Sequence, residues 1–132
     1  MDAFTIFFKT NLTVAEIGSA VAQTGLEVAQ SGAEEMSVSG GSAQVWIYFY
    51  SGSDLSSPDF VDRTEWPLQP QEVGAVLRIE VRRNEESTLL AMKLAHMVVA
   101  RWRGLIAWDG MRSWERLYRD LYPGADIALD ND

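Results

Sequence analysis

The sequence predicts an α+β fold: a two-layer sandwich with a mostly antiparallel sheet, two helices packed on it, and a third helix appended near the C-terminus. Three observations carry this expectation. Short alternating apolar runs suited to half-buried strands recur around residues 3–9, 43–50 and 74–83. Longer stretches opening at Thr13 and at Asn84 repeat apolar residues three and four apart, the helical period, and sit between the strand runs. A Gly40-Gly41 pair between two apolar runs marks a tight hairpin, which makes its flanking strands antiparallel.

The elements follow in order. Residues 3–9 are rich in Phe and alternate, so they read as a strand. Thr13 and Glu16 form a Thr-x-x-Glu capping box, Val14, Ile17 and Val21 keep helical spacing, and Gly25 stops the helix, which is expected over about 13–24. Residues 26–31 fit either a short strand or a connection. With Gly40-Gly41 as the loop, Val38 is expected opposite Ala43 and Met36 opposite Val45. One face then holds Met36, Val38, Ala43, Val45, Ile47 and Phe49, and the other Glu35, Ser37, Gln44, Trp46, Tyr48 and Tyr50. From Ser51 to Glu72 the chain turns to Ser, Asp, Pro and Gly, a long surface loop with room for one helical turn around 59–63. A strand is expected over 74–83, then a helix capped by Asn84 with Glu85 and Glu86 in its first turn and an inner stripe of Leu90, Leu94, Ala95, Val98 and Trp102. It stops at Gly104. A short strand over 105–108, a turn at Asp109-Gly110 and a helix over 113–122 complete the domain. The order, β-α-β-β-β-α-β-α with the ambiguous segment left uncounted, is a variant of the ferredoxin-like β-α-β-β-α-β plan.

Composition narrows the function. The 132 residues suit one domain, expected over 1–124, with an acidic and loose tail at 125–132. Hydrophobic residues at 47% and charged residues at 23% are ordinary for a folded protein. A net charge of −8 argues against a general basic surface for nucleic acid. The absence of cysteine removes disulfides, thiolate nucleophiles and zinc–thiolate sites, and the single histidine, His96, removes any site needing two imidazoles from one chain. The apolar run Phe4–Phe8 is too short for a secretory signal and is preceded by Asp2. The apolar stretch 89–102 is broken by Lys93, His96 and Arg101, so no membrane span is expected. The expected compartment is the cytoplasm.

The most informative feature is the aromatic row Trp46, Tyr48 and Tyr50. In a two-layer sandwich the helices cover one sheet face, and large rings on the other suit a contact site. Two arrangements satisfy the pattern: the C-terminal helix, through Trp114, Leu117 and Leu121, lies over the row, or the row stays open. Phe7 and Trp108 are expected in the same layer. In the long loop, Asp54, Asp59, Asp62 and Glu65 are candidate contacts for a basic partner, and a solvated loop is the simpler account of them. Their spacing lacks the alternating oxygens and turn glycine of a calcium loop, and no cofactor or metal is expected. Paired carboxylates can do acid/base chemistry, but no nucleophile–base pair can be assembled around them. Helical spacing puts His96 beside Lys93, Ala100 and Arg103, as a half-exposed histidine. No Gly-x-Ser-x-Gly or phosphate-binding glycine loop is present. Arg78, Arg82 and Arg83 are read as balancing nearby acids.

From Leu89 to Tyr122 a long apolar helix passes through Arg103-Gly104 into Leu105-Ile106-Ala107-Trp108-Asp109-Gly110 and then a Trp-containing amphipathic helix. This stretch, with the element order and the acidity, resembles small bacterial toxin-immunity proteins. The resemblance implies a non-enzymatic, cytoplasmic inhibitor that binds and occludes a cognate protein toxin, for example a basic nuclease domain, without binding nucleic acid or membrane itself. Trp46, Tyr48, Tyr50, Asp54, Asp59, Asp62 and Glu65 are then the candidate contacts. An acidic surface steers association with a basic partner. A ferredoxin-like ligand-sensing or dimerising regulatory domain is the alternative.

Overall fold

The computed structural model describes residues 2–50, 72–108 and 110–123. The elements are β1 (Asp2–Phe8), α1 (Val14–Ala22), β2 (Glu27–Gly32), β3 (Glu35–Gly40), β4 (Ala43–Tyr50), β5 (Ala75–Val81), α2 (Glu85–Trp102), β6 (Leu105–Ala107) and α3 (Arg112–Leu121). Residues 51–71 of the expected long loop, with its helical turn, and the acidic tail at 125–132 lie outside the described residues. The ambiguous segment after α1 is β2.

The six strands form one sheet in the order β2-β3-β4-β5-β1-β6, and every neighbouring pair is antiparallel. Because β5 and β6 flank β1, they run parallel to each other, and α2 is the crossover between them. Likewise β1 and β4 flank β5. These four strands with α1 and α2 keep the ferredoxin-like plan, and the β2–β3 hairpin widens the sheet beyond β4.

Local chemistry sets the helix starts. The Thr13 hydroxyl accepts from the Glu16 N–H at 3.1 Å, and the Glu16 carboxylate accepts from the Thr13 N–H at 3.2 Å, completing the capping box of α1. The Asn84 side chain accepts from the Ser87 N–H at 2.8 Å and caps α2. Ser87 is fully buried, and its hydroxyl accepts from the Gln44 N–H at 2.9 Å, which pins the start of α2 to β4.

The hairpin register corrects the sequence reading. Gly40 pairs with Ala43, Val38 with Val45 and Met36 with Ile47, so Gly41 and Ser42 form the loop. Gly41 has φ +61°, as a glycine at the first loop position of a two-residue hairpin does. Gly40 instead belongs to the strand, where Leu26 packs so closely that a Cβ would lie 2.9 Å from its Cδ2. The displacement is two residues, an even number, so every side chain keeps its expected face.

One main core lies between the sheet and the helices. It joins Phe4, Ile6 and Phe8 of β1, Met36, Val38, Val45 and Ile47 of the hairpin and Leu77 and Ile79 of β5 to Ile17, Leu94, Val98, Trp114 and Tyr118. All three helices therefore cover the same sheet face. The arrangement in which α3 covers the aromatic row is overturned: Trp114 meets Phe4 edge-on at 5.8 Å, on the core side. Trp108 is also corrected. It packs on Phe4 at 5.1 Å and Tyr118 at 5.4 Å and belongs to the core layer, because the β6 register sets Leu105 and Ala107 on the outer face and Ile106, with Trp108 two residues on, towards the helices. No described helix is long and apolar enough to cross a membrane.

Candidate interaction face

On the sheet face opposite the helices, the register sets the side chains in rows. Ser37, Trp46, Glu80 and Ala3 form one row across β3, β4, β5 and β1. The next holds Glu35, Tyr48, Arg78, Thr5 and Ala107, reaching β6. A third holds Tyr50, Val76, Phe7 and Leu105. Alternation along β4 places the three rings outward, because Val45, Ile47 and Phe49 between them fill the core.

The rows differ in character. In the third, Phe7 and Val76 are buried, with Tyr50, Val73, Leu105 and Ala107 packed against them as a second, smaller apolar cluster. In the first two, Trp46, Tyr48, Glu35, Arg78 and Glu80 are half-buried. The Arg78 Nε lies 3.1 Å from the Glu80 carboxylate, an ion pair along one strand face. Its geometry leaves Glu35 as the carboxylate directly across from Tyr48. Burial, followed by the negative fields of Glu80 and Glu35, pushes the Tyr48 phenol above the usual 10.0, while Arg78 pulls it the other way. The face thus offers two large rings and two carboxylates against one guanidinium, with no described helix on it.

Of the residues singled out from the sequence, Trp46, Tyr48 and Tyr50 share this face. Asp54, Asp59, Asp62 and Glu65 lie outside the described residues. Sequence reasoning had placed Glu35 on the face without naming it as a contact, and it missed Arg78 and Glu80 as neighbours of the rings. The pairing of β4 with β5 joins segments separated by residues 51–74, and no local pattern encodes that register. Arg83 stands 3.8 Å from Asp2 in an exposed pair, so two of the three arginines of the β5 region meet acids.

No family model, curated protein or solved structure matches this chain.

A second constellation lies in the helix layer. His96 stacks on Tyr122, ring centroids 4.0 Å apart and planes 6° from parallel, and meets Tyr118 at 6.3 Å. His96 is half-buried, as expected, and α3 returns across α2 and brings two tyrosines to it, which helical spacing along α2 does not reveal. Among the described residues no group of three or more His, Asp or Glu side chains could hold a metal ion.

Proposed function

We propose that this chain is a non-enzymatic binding protein of the immunity type, which inhibits a cognate toxin domain in the cytoplasm by covering it with the outer sheet face. Trp46 and Tyr48 are the anchors, and Tyr50 is the inner edge of the contact. Asp54, Asp59, Asp62 and Glu65, which lie outside the described residues, are the further contacts proposed from the sequence.

The observation that carries this function is the pair of half-exposed rings, Trp46 and Tyr48, in adjacent rows of a sheet face on which no described helix packs. Trp and Tyr are the side chains most often found at interface hot spots, because they bury a large area with few rotatable bonds. Glu35 and Glu80 in the same rows, and a net charge of −8, favour a basic partner such as the substrate groove of a nuclease. A protein filling that groove competes with nucleic acid without chemistry of its own.

Co-expression is the test. The chain is produced together with the product of the neighbouring reading frame in cells that this product stops growing. Restored growth with the intact chain, lost with Trp46→Ala plus Tyr48→Ala at equal protein level, is the expected result. Restored growth with the double substitution, or none with the intact chain, contradicts it.

A further inference from the structure

We infer that a groove in the helix layer, between the end of α1, one side of α2 and Tyr122, binds a small amphipathic carboxylate such as a short fatty acid or an aryl-acetate. The groove has a volume of about 410 Å³, within the roughly 300–1,000 Å³ of small-molecule sites. Leu26, Leu94, Met97 and Tyr122 give it an apolar lining. Leu94 is buried in the core and makes a fixed floor, whereas Met97 is an unbranched, adaptable wall.

The polar groups point to an anion. Lys93 and His96 line the groove and stand three residues apart on α2, hence on one side of the helix. Acids outnumber bases 19 to 11 in the chain, yet among the described residues this lining has no carboxylate, and Lys93 and His96 are in no ion pair. The stack on Tyr122 fixes the plane of the His96 ring. Burial raises the Tyr122 phenol above 10.0, so its hydroxyl stays protonated. Two nitrogen donors match the two oxygens of one carboxylate. Thr24 also lines the groove but donates its hydroxyl to the Val21 carbonyl at 2.6 Å, and with Leu26, Leu94 and Met97 making up the rest beside Tyr122 the lining suits an amphipathic acid better than a phosphate. The site is separate from the outer sheet face and does not depend on the function proposed for it.

Calorimetric titration of the full chain with octanoate and with indole-3-acetate is the experiment, with octylamine as the cationic control. Saturable one-to-one binding of at least one carboxylate is expected, about tenfold weaker in Lys93→Gln, in keeping with loss of a charge-assisted bond, and abolished in Met97→Trp, whose indole fills the groove. Lys93 is exposed, so its replacement leaves folding intact and keeps the test decisive if Met97→Trp misfolds. No saturable binding of either acid, equal binding of octylamine, or unchanged affinity in Lys93→Gln would overturn the assignment.

Discussion

The imidazole of His96 on α2 and the phenol ring of Tyr122, just past α3, lie face to face with their centroids 4.0 Å apart. Tyr118 touches both, and through Trp108 the chain of rings continues to Phe4 on β1. α3 has ten residues and no side-chain cap at its start, so it has little stability of its own. Its position rests on these rings, which fasten it to α2 and to the sheet.

A double-mutant cycle of His96→Ala and Tyr122→Ala is therefore expected to show a coupling of about 0.5–1.5 kcal/mol, the range for aromatic pairs. Urea unfolding of the four proteins gives the number. Additive losses would mean that the two rings contribute independently.

Arg103 and Gly104 respond oppositely to substitution. Arg103 ends α2 in the left-handed region, φ 56° and ψ 62°, which costs a side chain about 1 kcal/mol. Arg103→Gly is expected to stabilise the protein by up to about 1 kcal/mol. A Cβ on Gly104 would lie 2.7 Å from Phe8 Cε1 and 2.8 Å from Ile6 Cγ2, both in the core. Gly104→Ala is expected to destabilise by about 1–3 kcal/mol, the usual cost of overpacking. Unfolding midpoints that move the same way for both would refute this division of labour.

Ser87→Ala removes the acceptor for the Gln44 N–H. Leaving that amide unpaired is expected to cost about 1–2 kcal/mol, and to speed hydrogen exchange at Gln44 more than elsewhere in β4. Unchanged exchange at Gln44 would place its protection elsewhere.

Much of this fold is legible in the sequence because the signals are local. Thr13 and Glu16 are three residues apart and make their capping box within one turn. The two faces of β3 and β4 follow from alternation alone, and they survive a misplaced turn because Gly40-Gly41 and Gly41-Ser42 differ by two positions in the pairing. What could not be read depends on distant segments. Glycine marked the stop of α2 but not its mechanism: the left-handed residue is Arg103, and Gly104 is small because β1 passes behind it. The rings of α3 suit either sheet face, and only their packing on Phe4 and His96 decides between them. Glu80 becomes a neighbour of Trp46 only once β5 is in register with β4.

The Tyr48 phenol is raised above 10.0 by burial and by Glu80 and Glu35. An acid that the fold holds protonated adds stability that is complete below the unfolded value near 10 and is lost as the pH rises through the folded value. Ionisation of Tyr48, followed by the NMR shift of its ring carbons, is expected above pH 10, and Glu80→Gln is expected to move it back towards 10. Titration at or below 10 in the intact chain would show that burial and the carboxylates do not outweigh Arg78 at this ring.

The most direct measurement is the affinity of the purified chain for the product of the neighbouring reading frame, compared between Trp46→Ala plus Tyr48→Ala and Leu89→Ala plus Leu121→Ala. The second pair removes the two exposed leucines of the helix layer, 41% and 42% accessible, from the opposite side of the sheet. Loss of two aromatic anchors is expected to weaken binding by about a hundredfold or more, with the leucine pair within about threefold of the intact chain. Equal affinity for all three proteins, or a loss confined to the leucine pair, would contradict docking through the outer face.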